Sequence, residues 1–447
     1  MADKNIPLGP LDQKPQNKKE YDEAVEQNYP YNRNVGFLHG VLHFAGLGFF
    51  WRQTILPNFV HALTGSDFLV GLTTSVGFAF TQGSQLFGSA LVEHLAVKKK
   101  PLLWFGILSR IPWFFIAMAV LLLSRDIAFP VFISLYVVAS SCMGLYLLVW
   151  TDLMSKVIPV KNRGSYFAIR NFLAACATAL AGILAGRIIE IYLYPTGYAL
   201  SFFLAFLVMS IDLFVIARTK EVPSLVVNPK VTIKEKLSSI PLYLSKDKNY
   251  KMYCIVRSYA NVSRQGVPFY ILAATAALEL SPQEAAATAG LFTFALLLTQ
   301  TVGNLIWGYY SQGRGWKAPL EAVCLLIGIV SFVVPSITTL AGFIVIVGIS
   351  GLSNSGFMLP SLNILMEFGR PQHRSSYIGI ANGISAVGAL ISPLLAGAIA
   401  QWFSYTILFY FVGINSLISF ALLKFLVTDP RHVPEEEKPD FDVQAST

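Results

Sequence analysis

Long apolar runs recur along this chain from about residue 36 to residue 427, and they constrain its fold more than any other feature. A run of roughly 17–25 apolar residues is long enough to cross a lipid bilayer as an α-helix. Twelve such runs, numbered here as spans 1–12, lie at about 36–60, 68–92, 101–124, 127–150, 165–190, 196–218, 250–277, 285–310, 317–337, 340–366, 374–400 and 404–427. The runs are longer than the alternating segments of about 10 residues that build membrane β-barrels, so helices are expected.

The composition favours the same interpretation. Hydrophobic residues make up 54% of the chain and charged residues only 13%, and the mean hydropathy is +0.58. One soluble core of this length cannot hide so much apolar surface, which disfavours a soluble enzyme, a disordered protein and a coiled coil. We therefore predict an all-α integral membrane protein with 12 transmembrane helices, whose surrounding partner is the lipid bilayer.

The basic residues predict how such a protein is oriented. Most of the 33 Lys and Arg residues fall in the N-terminal segment, in the connections that follow even-numbered spans, and in the C-terminal segment. Connections rich in Lys and Arg remain on the cytoplasmic side of a membrane. We expect both termini to be cytoplasmic in a multi-pass protein of the cell (plasma) membrane. The net charge of +8 then needs no nucleic-acid partner.

Two halves of the chain follow one plan. The stretch RGSYFAIRN at 163–171 recurs as RSSYIGIAN at 374–382, and Pro57 and Pro268 have the same separation. A duplicated unit of six spans accounts for this ordered agreement. The predicted segments are a cytoplasmic N-terminal tail (1–33), an N-terminal six-helix bundle (34–218), a central cytoplasmic linker (219–249), a C-terminal six-helix bundle (250–428) and a cytoplasmic C-terminal tail (429–447). Within the linker, VTIKEKLSSIPLYL is compatible with an amphipathic helix at the inner lipid surface and with a solvated connection.

Three of these features together resemble the major facilitator superfamily: six plus six spans, basic connections after spans 2 and 8, and Arg-Gly/Ser-Ser-Tyr turns before spans 5 and 11. The resemblance covers about residues 34–428. The loop signature of that family, Gly-x-x-x-Asp-x-x-Gly-x-Arg/Lys, appears from Gly308 to Lys317 with Gln312 in place of the acid. In the first half, Glu93 takes the acid position. The resemblance implies two pseudo-symmetric six-helix bundles around a central cavity lined by spans 1, 4, 7 and 10, and secondary active transport by alternating access.

The loop signature also predicts gating contacts. Glu93, at the inner end of span 2, is expected to pair with basic residues near the start of a neighbouring span, such as Arg163 or Arg170. Arg374 lies at the start of the matching span in the second half. Such pairs would hold one face of the protein closed and break on the opposite stroke. The alternative is that these residues are ordinary interfacial charges.

Charged side chains inside apolar spans are energetically expensive and are functional candidates by default. Arg52 and Gln53 in span 1 lie at nearly the same place as Arg264 and Gln265 in span 7. Two guanidinium groups that face a central cavity would bind a carboxylate or a phosphate, because Arg presents a fork of donors. The alternative for each Arg is a structural pair or contact with the lipid interface. The further candidates for substrate binding are polar or weakly titratable: His43, Asn261, Gln82, Gln300, Asn354 and Tyr146.

The predicted function is secondary active transport of a small organic solute. The two arginines favour an anionic solute. A multidrug or lipid-like amphiphile exporter and a non-transporting membrane sensor with the same fold are the alternatives. A coupling proton or ion is left open as a partner, and His43 is the best-placed titratable group. No nucleotide-binding, metal or nucleophile motif occurs in the sequence, so no enzymatic activity, cofactor or metal is expected.

Overall fold

The computed structural model describes residues 17–92, 95–224, 240–368 and 374–433, and within these ranges the chain is helical and has no β-strand. The α-helices are α1 (Lys18–Gly48), α2 (Ile55–Thr64), α3 (Asp67–Val92), α4 (Lys99–Leu122), α5 (Arg125–Val157), α6 (Arg163–Tyr192), α7 (Thr196–Ile216), α8 (Ile240–Lys246), α9 (Lys248–Ser263), α10 (Tyr270–Ala277), α11 (Pro282–Ser311), α12 (Lys317–Val333), α13 (Leu340–Asn363), α14 (Leu365–Phe368), α15 (Arg374–Trp402) and α16 (Tyr405–Leu426). Short 3₁₀ helices lie at Val160–Asn162, Arg264–Phe269, Val334–Ser336 and Pro430–His432.

Several helices begin where the sequence supplies a side chain that can accept from a free backbone N–H. Asp247 caps α9, Thr339 caps α13 and Ser404 caps α16, each through an N–H of the first turn. Ser281 and Glu284 form a reciprocal capping box at the start of α11. These contacts satisfy donors that a helix start otherwise leaves unpaired, so they fix where the helices begin.

Nine helical segments within the described ranges are long and apolar enough to cross a membrane, and they make the chain a multi-pass membrane protein. They comprise α4 to α7, α11, α12, α13 together with α14, α15 and α16, some with their adjoining 3₁₀ turns. The three other predicted spans correspond to α1 with α2, to α3, and to α9 with α10. Two of these are interrupted helices, and α3 carries the polar side chains of Thr81, Gln82 and Gln85. The count of twelve stays a prediction.

The structure interrupts the helices of spans 1 and 7, the two spans that contain Pro57 and Pro268. The α-helix stops at Gly48 and resumes at Ile55, and in the second half a 3₁₀ turn over Arg264–Phe269 separates α9 from α10. Pro57 lies in the first turn of α2 and Pro268 lies in the 3₁₀ turn, where a missing backbone N–H is tolerated. Each interruption contains one of the two Arg-Gln pairs, so the backbone is irregular where the polar side chains lie.

The described helices alternate in direction because short connections join them. We call the end formed by residues 65–66, 193–195, 278–281 and 403–404 the apical end, and the opposite end, where α1 begins, the basal end. Helix α6 packs along α11 and α3 packs along α15. A Cβ atom at Gly186 of α6 would lie 2.8 Å from the carbonyl oxygen of Ala286, so glycine permits this approach near the apical end.

Polar and aromatic contacts join the same helices at the apical end. The Gln401 side-chain oxygen accepts from the Asp67 backbone N–H at 2.8 Å, and the rings of Phe68 and Trp402 stack with centroids 5.6 Å apart. The Thr54 and Thr293 hydroxyls also form a hydrogen bond. One apolar core that includes Phe59, Phe202, Ile271 and Phe292 lies in this region. Residues from both halves of the sequence therefore close the apical end together.

Segment boundaries at the basal end differ in detail from the sequence-based expectation. Helix α1 already begins at Lys18, inside the segment 1–33 that was expected to form a tail. Most of the proposed amphipathic segment at 231–244 lies outside the described residues, and its last residues belong to α8. The division of the chain into tails, bundles and linker stays a prediction.

Candidate substrate site

A cavity of about 300 Å³ lies beside the interruptions of spans 1 and 7. Its walls come from residues 52–53, from α3, from α9 and the 3₁₀ turn after it, and from α10, α12, α13 and α15. A volume of this size is at the small end of the range for ligand pockets, which favours a small molecule. The lining mixes aromatic rings (Phe78, Tyr270 and Phe357) with amide, hydroxyl and guanidinium groups.

Neutral groups hold the two predicted arginines at the cavity. Both terminal nitrogens of Arg52 donate to the Thr81 hydroxyl at 3.4 Å. Arg264 donates from Nη2 to the Asn354 side-chain oxygen at 2.5 Å and from Nη1 to that of Asn261 at 3.4 Å. The Arg264 guanidinium also lies 4.5 Å from the centre of the Phe357 ring. Neither arginine has a carboxylate partner in these contacts.

Arg257 adds a third guanidinium group to the lining. It lies two helical turns before Arg264 on α9, and its Nη2 donates to the Asn382 side-chain oxygen at 3.0 Å. Within the described part of the chain, no Asp or Glu side chain lines the cavity. The cavity therefore presents positive charge without a fixed counter-charge, and this arrangement attracts anions.

The structure brings together six of the residues that the sequence singled out for binding. These cavity-lining residues are Arg52, Gln53, Gln82, Asn261, Arg264 and Asn354. Gln300 lies behind them and accepts from the Asn354 amide at 3.2 Å. The side chain of Gln265 lies outside what the structure describes. His43 and Tyr146 do not line the cavity, because they belong to a separate buried cluster.

That buried cluster surrounds Asp212 of α7, whose side chain is fully buried. Arg110 of α4 donates from Nη2 to Asp212 Oδ2 at 2.7 Å. His43 Nδ1 lies 3.1 Å from the same oxygen, and His39 Nδ1 contacts Oδ1. The Tyr146 ring stacks on the His43 ring with centroids 5.6 Å apart. The carboxylate thus receives several hydrogen bonds, as a buried charge requires.

Of the charged and titratable residues in this cluster, the sequence analysis singled out His43 but missed Arg110 and His39. Two signals were present. Arg110 is a charge in the middle of span 3, and His39 lies four residues before His43, which places both rings on one face of α1. Their common partner on α7 is remote in sequence, so the cluster itself was not visible in the sequence.

The expected gating contacts are only partly within the described residues. Glu93 lies outside them, and the side chain of Arg374 is not described. Arg163 donates from Nε to the Ile158 carbonyl oxygen at 3.1 Å, so it supports the turn between α5 and α6. Arg170 packs its guanidinium 4.4 Å from the Trp150 ring centre. The pairing of Glu93 with Arg163 or Arg170 therefore stays a prediction.

A different acid organises the basal end of the first half. Glu221, just after α7, accepts from the backbone N–H groups of Lys98 and Lys99 at 2.7 and 2.8 Å. Its carboxylate also pairs with Lys156 Nζ at 2.5 Å, and Lys98 pairs with Asp152 at 3.4 Å. Glu221 therefore caps α4 with a negative charge and ties it to α5. Sequence reasoning missed this residue.

Comparison with known proteins supports the fold. The family model for the Major Facilitator Superfamily matches residues 254–447. An uncharacterized transporter of Buchnera aphidicola subsp. Acyrthosiphon pisum (strain APS) is 24% identical over 168 residues, which is 38% of this chain and 37% of the relative. A bicyclomycin resistance protein homolog of Haemophilus influenzae (strain ATCC 51907 / DSM 11121 / KW20 / Rd) is 21% identical over 163 residues, 36% and 39% of the two chains. The chain spans less than half the length of the curated relatives it matches.

A solved structure matches over most of its length. The crystal structure of a bacterial homolog to the human lysosomal transporter Spinster, in an inward-facing and occupied conformation, superimposes with a TM-score of 0.66 at 12% identity. The match covers 92% of this chain and 99% of that chain. The fold is that of a multi-pass α-helical membrane protein. The resemblance to the major facilitator superfamily that the sequence indicated is confirmed.

Proposed function

We propose that this protein is a secondary active transporter that moves a small organic anion across the plasma membrane by alternating access. The observation that carries the proposal is the cavity in which Arg52 and Arg264 face a ligand-sized space, and no acidic side chain of the described residues lines this space. Each guanidinium is held by a neutral oxygen, of Thr81 or Asn354, which a stronger acceptor can replace. Hydrogen bonds with an ionised partner contribute about 1.5–3 kcal/mol, more than neutral ones do.

The transport cycle that we propose uses two pseudo-symmetric six-helix bundles with a total of 12 transmembrane helices. The interrupted spans 1 and 7 support this arrangement, since each places an arginine, Arg52 or Arg264, at the same cavity from a corresponding point of its half. Discontinuous helices near the midplane are typical of binding sites in transporters built from repeats. The two bundles would rock around the bound anion and expose it to each side in turn.

We place the basal end in the cytoplasm, because the Lys and Arg residues concentrate in the basal connections. Both termini are then cytoplasmic. The contacts that close the apical end, including the Gly186 approach and the Gln401 hydrogen bond, would make the described state an inward-facing one. The similar structure of the Spinster homolog carries that description in its own name, which supports the assignment.

A coupling proton or ion is part of the proposal. Among the described titratable groups, His39, His43 and Asp212 form a cluster away from the cavity, and this cluster is the candidate for carrying a proton. Arg110 is its fixed positive charge, Arg170 is a further positive charge on α6, and Tyr146 covers one side. No catalytic activity is proposed for the chain.

The second candidate function is the export of drugs or lipid-like amphiphiles. Three aromatic rings in the cavity favour it, and so does the similarity to a protein named for bicyclomycin resistance. The two functions predict different ligands, because an arginine-lined cavity repels the hydrophobic cations that aromatic cavities often bind.

A thermal-shift screen of the purified protein tests the proposal. We expect carboxylates or phosphates to raise the unfolding temperature, because a ligand at 100 times its dissociation constant stabilises the folded state by about 2.7 kcal/mol. Arg52→Ala and Arg264→Ala should abolish the shift. Arg187→Ala, in which an exposed ion pair with Glu190 is lost, is the matched control and should keep it. Stabilisation by hydrophobic cations but not by anions would favour the export function instead.

A further inference from the structure

Part of the cavity wall carries donors that have no acceptor among the residues the structure describes. Nε and Nη1 of Arg257 and the hydroxyl of Ser385 are buried, and none of these described residues accepts a hydrogen bond from them. Both residues line the cavity. Buried donors are nearly always paired in folded proteins, so unpaired donors that border a cavity call for an acceptor from a ligand.

Contacts between α9 and α15 fix these donors in one strip of the wall. Arg257 donates to Asn382, the Ser258 hydroxyl donates to the Ile384 carbonyl oxygen at 3.2 Å, and Asn261 approaches the carbonyl oxygen of Ser385 at 3.5 Å. The two helices therefore run side by side in this register. Ser385 lies about one turn along α15 from the residue that holds Arg257.

Arg257 and Arg264 are directed to different neighbours. Seven residues of helix separate their backbones by about 10 Å along the axis. Arg257 reaches Asn382 on α15, whereas Arg264 reaches Asn354 on α13, so the two side chains diverge. One carboxylate has two oxygens and is well matched to one guanidinium fork. A single acidic group therefore satisfies one of these arginines and leaves the other without a charged partner.

We propose that Arg257 and Ser385 form a second anion subsite, so that the substrate is a small organic dianion with an acidic group at each end. This inference rests on the proposed transport of an anion. One acidic group binds Arg264 and Asn261, the other binds Arg257 and Ser385, and the carbon chain between them lies against Phe357. The cavity volume of about 300 Å³ restricts the substrate to a short chain.

The charge of the lining supports two acidic groups over one. Within the described residues, the cavity is lined by three guanidinium groups and by no carboxylate. A monoanion leaves two positive charges without compensation, whereas a dianion leaves one. In a partly dry cavity each uncompensated charge is expensive, so a dianion is preferred.

Binding of matched ligand pairs tests the inference. Isothermal titration calorimetry would compare straight-chain dicarboxylates from malonate to adipate with the monocarboxylate of the same carbon number, such as succinate with butyrate. We expect the dicarboxylate of best-fitting length to bind at least about 10-fold more tightly than the monocarboxylate of the same carbon number. This factor corresponds to the contribution of one charge-assisted hydrogen bond. Glycerol 3-phosphate, which carries both charges on one group, is expected to bind more weakly than that dicarboxylate.

The variants separate the second subsite from the first. Arg257→Gln should weaken dicarboxylate binding about 10- to 100-fold and leave the monocarboxylate nearly unchanged, so that the preference disappears. Ser385→Ala, a small change that keeps the helix contact, should reduce the preference in the same direction by a few-fold. Arg187→Gln is the control and should keep the full preference.

The unfavourable outcomes are distinct. Equal binding of the two carboxylate series by the unmodified protein, or an equal loss of both in Arg257→Gln, would overturn the second subsite and leave anion transport standing. Tighter binding of glycerol 3-phosphate than of every dicarboxylate would also overturn the two-ended arrangement. If none of these anions binds, the proposed function itself fails.

Discussion

The buried pair of Arg110 and Asp212 allows a quantitative test of how the first six predicted spans are held together. Both side chains are about 99–100% buried, and the nitrogen-to-oxygen distance is 2.7 Å. Asp212→Asn leaves the Arg110 charge buried without a counter-charge, and removing one member of such a pair costs about 3–5 kcal/mol of folding free energy. Arg110→Met leaves a carboxylate that His39 and His43 still contact, so we expect a smaller loss, because an imidazole that takes up a proton can replace the lost charge.

The double variant Arg110→Met/Asp212→Asn should be less damaging than the sum of the single variants, because neither uncompensated charge remains. We expect a coupling energy of at least about 2 kcal/mol in a double-mutant cycle. The matched control is the pair of Lys161 and Glu26, which has a similar distance of 2.8 Å but side chains that are 68% and 45% exposed. Exposed pairs of this kind couple by about 0–1 kcal/mol.

Unfolding of the purified protein in mixed detergent micelles, followed by tryptophan fluorescence, gives the free energies for the cycle. A coupling energy for Arg110 and Asp212 that is no larger than that of the control pair would refute the reasoning. It would show that the cluster is hydrated or loosely packed rather than a buried set of matched charges.

Three further predictions concern other parts of the fold. Glu221→Gln removes the charge that pairs with Lys156 and caps α4, so it should lower the unfolding free energy by about 1–2 kcal/mol; an unchanged value would contradict the capping role. Gly186→Leu places a side chain where a Cβ atom would already lie 2.8 Å from the Ala286 carbonyl oxygen, so the overpacking should lower the unfolding free energy by about 1–3 kcal/mol. Undiminished thermal stability would show that α6 and α11 separate easily. Burial raises the pKa of the Asp247 carboxyl above its usual value, so its contribution to stability is fully present below the unfolded pKa of about 3.9 and is lost as pH rises through the folded pKa. Asp247→Asn should therefore flatten the pH dependence of the unfolding temperature above pH 4, and a steeper dependence would contradict this.

Much of the architecture could be predicted from the sequence, because a segment that crosses the hydrocarbon core of a bilayer must be apolar and must satisfy its own backbone hydrogen bonds. Apolar runs of sufficient length become helices, since every backbone group must find a partner within the segment. A charged side chain inside an apolar run has a high free-energy cost, so Arg52 and Arg264 were candidates for function. The structure places both at the cavity. The matching positions in the two halves strengthened that inference before any contact was known.

Contacts between remote helices account for what the sequence did not reveal. His43 was expected to belong with the arginines, yet its ring faces Asp212, a residue that lies far away in sequence and meets α1 only after the helices pack. The interruptions of spans 1 and 7 also depend on packing, because proline alone did not show where the helix would stop. Glu221 acts through backbone N–H groups of a distant helix start, which no sequence pattern identifies.

Uptake into proteoliposomes tests the central claim most directly. The radiolabelled anion that stabilises the purified protein most would be added outside vesicles that contain the unmodified protein, Arg264→Ala or the control Arg187→Ala. We expect saturable, time-dependent uptake by the unmodified protein and by the control, and no uptake above empty vesicles by Arg264→Ala. Uptake that proceeds equally well without Arg264, or binding of the anion without any uptake, would contradict the central claim.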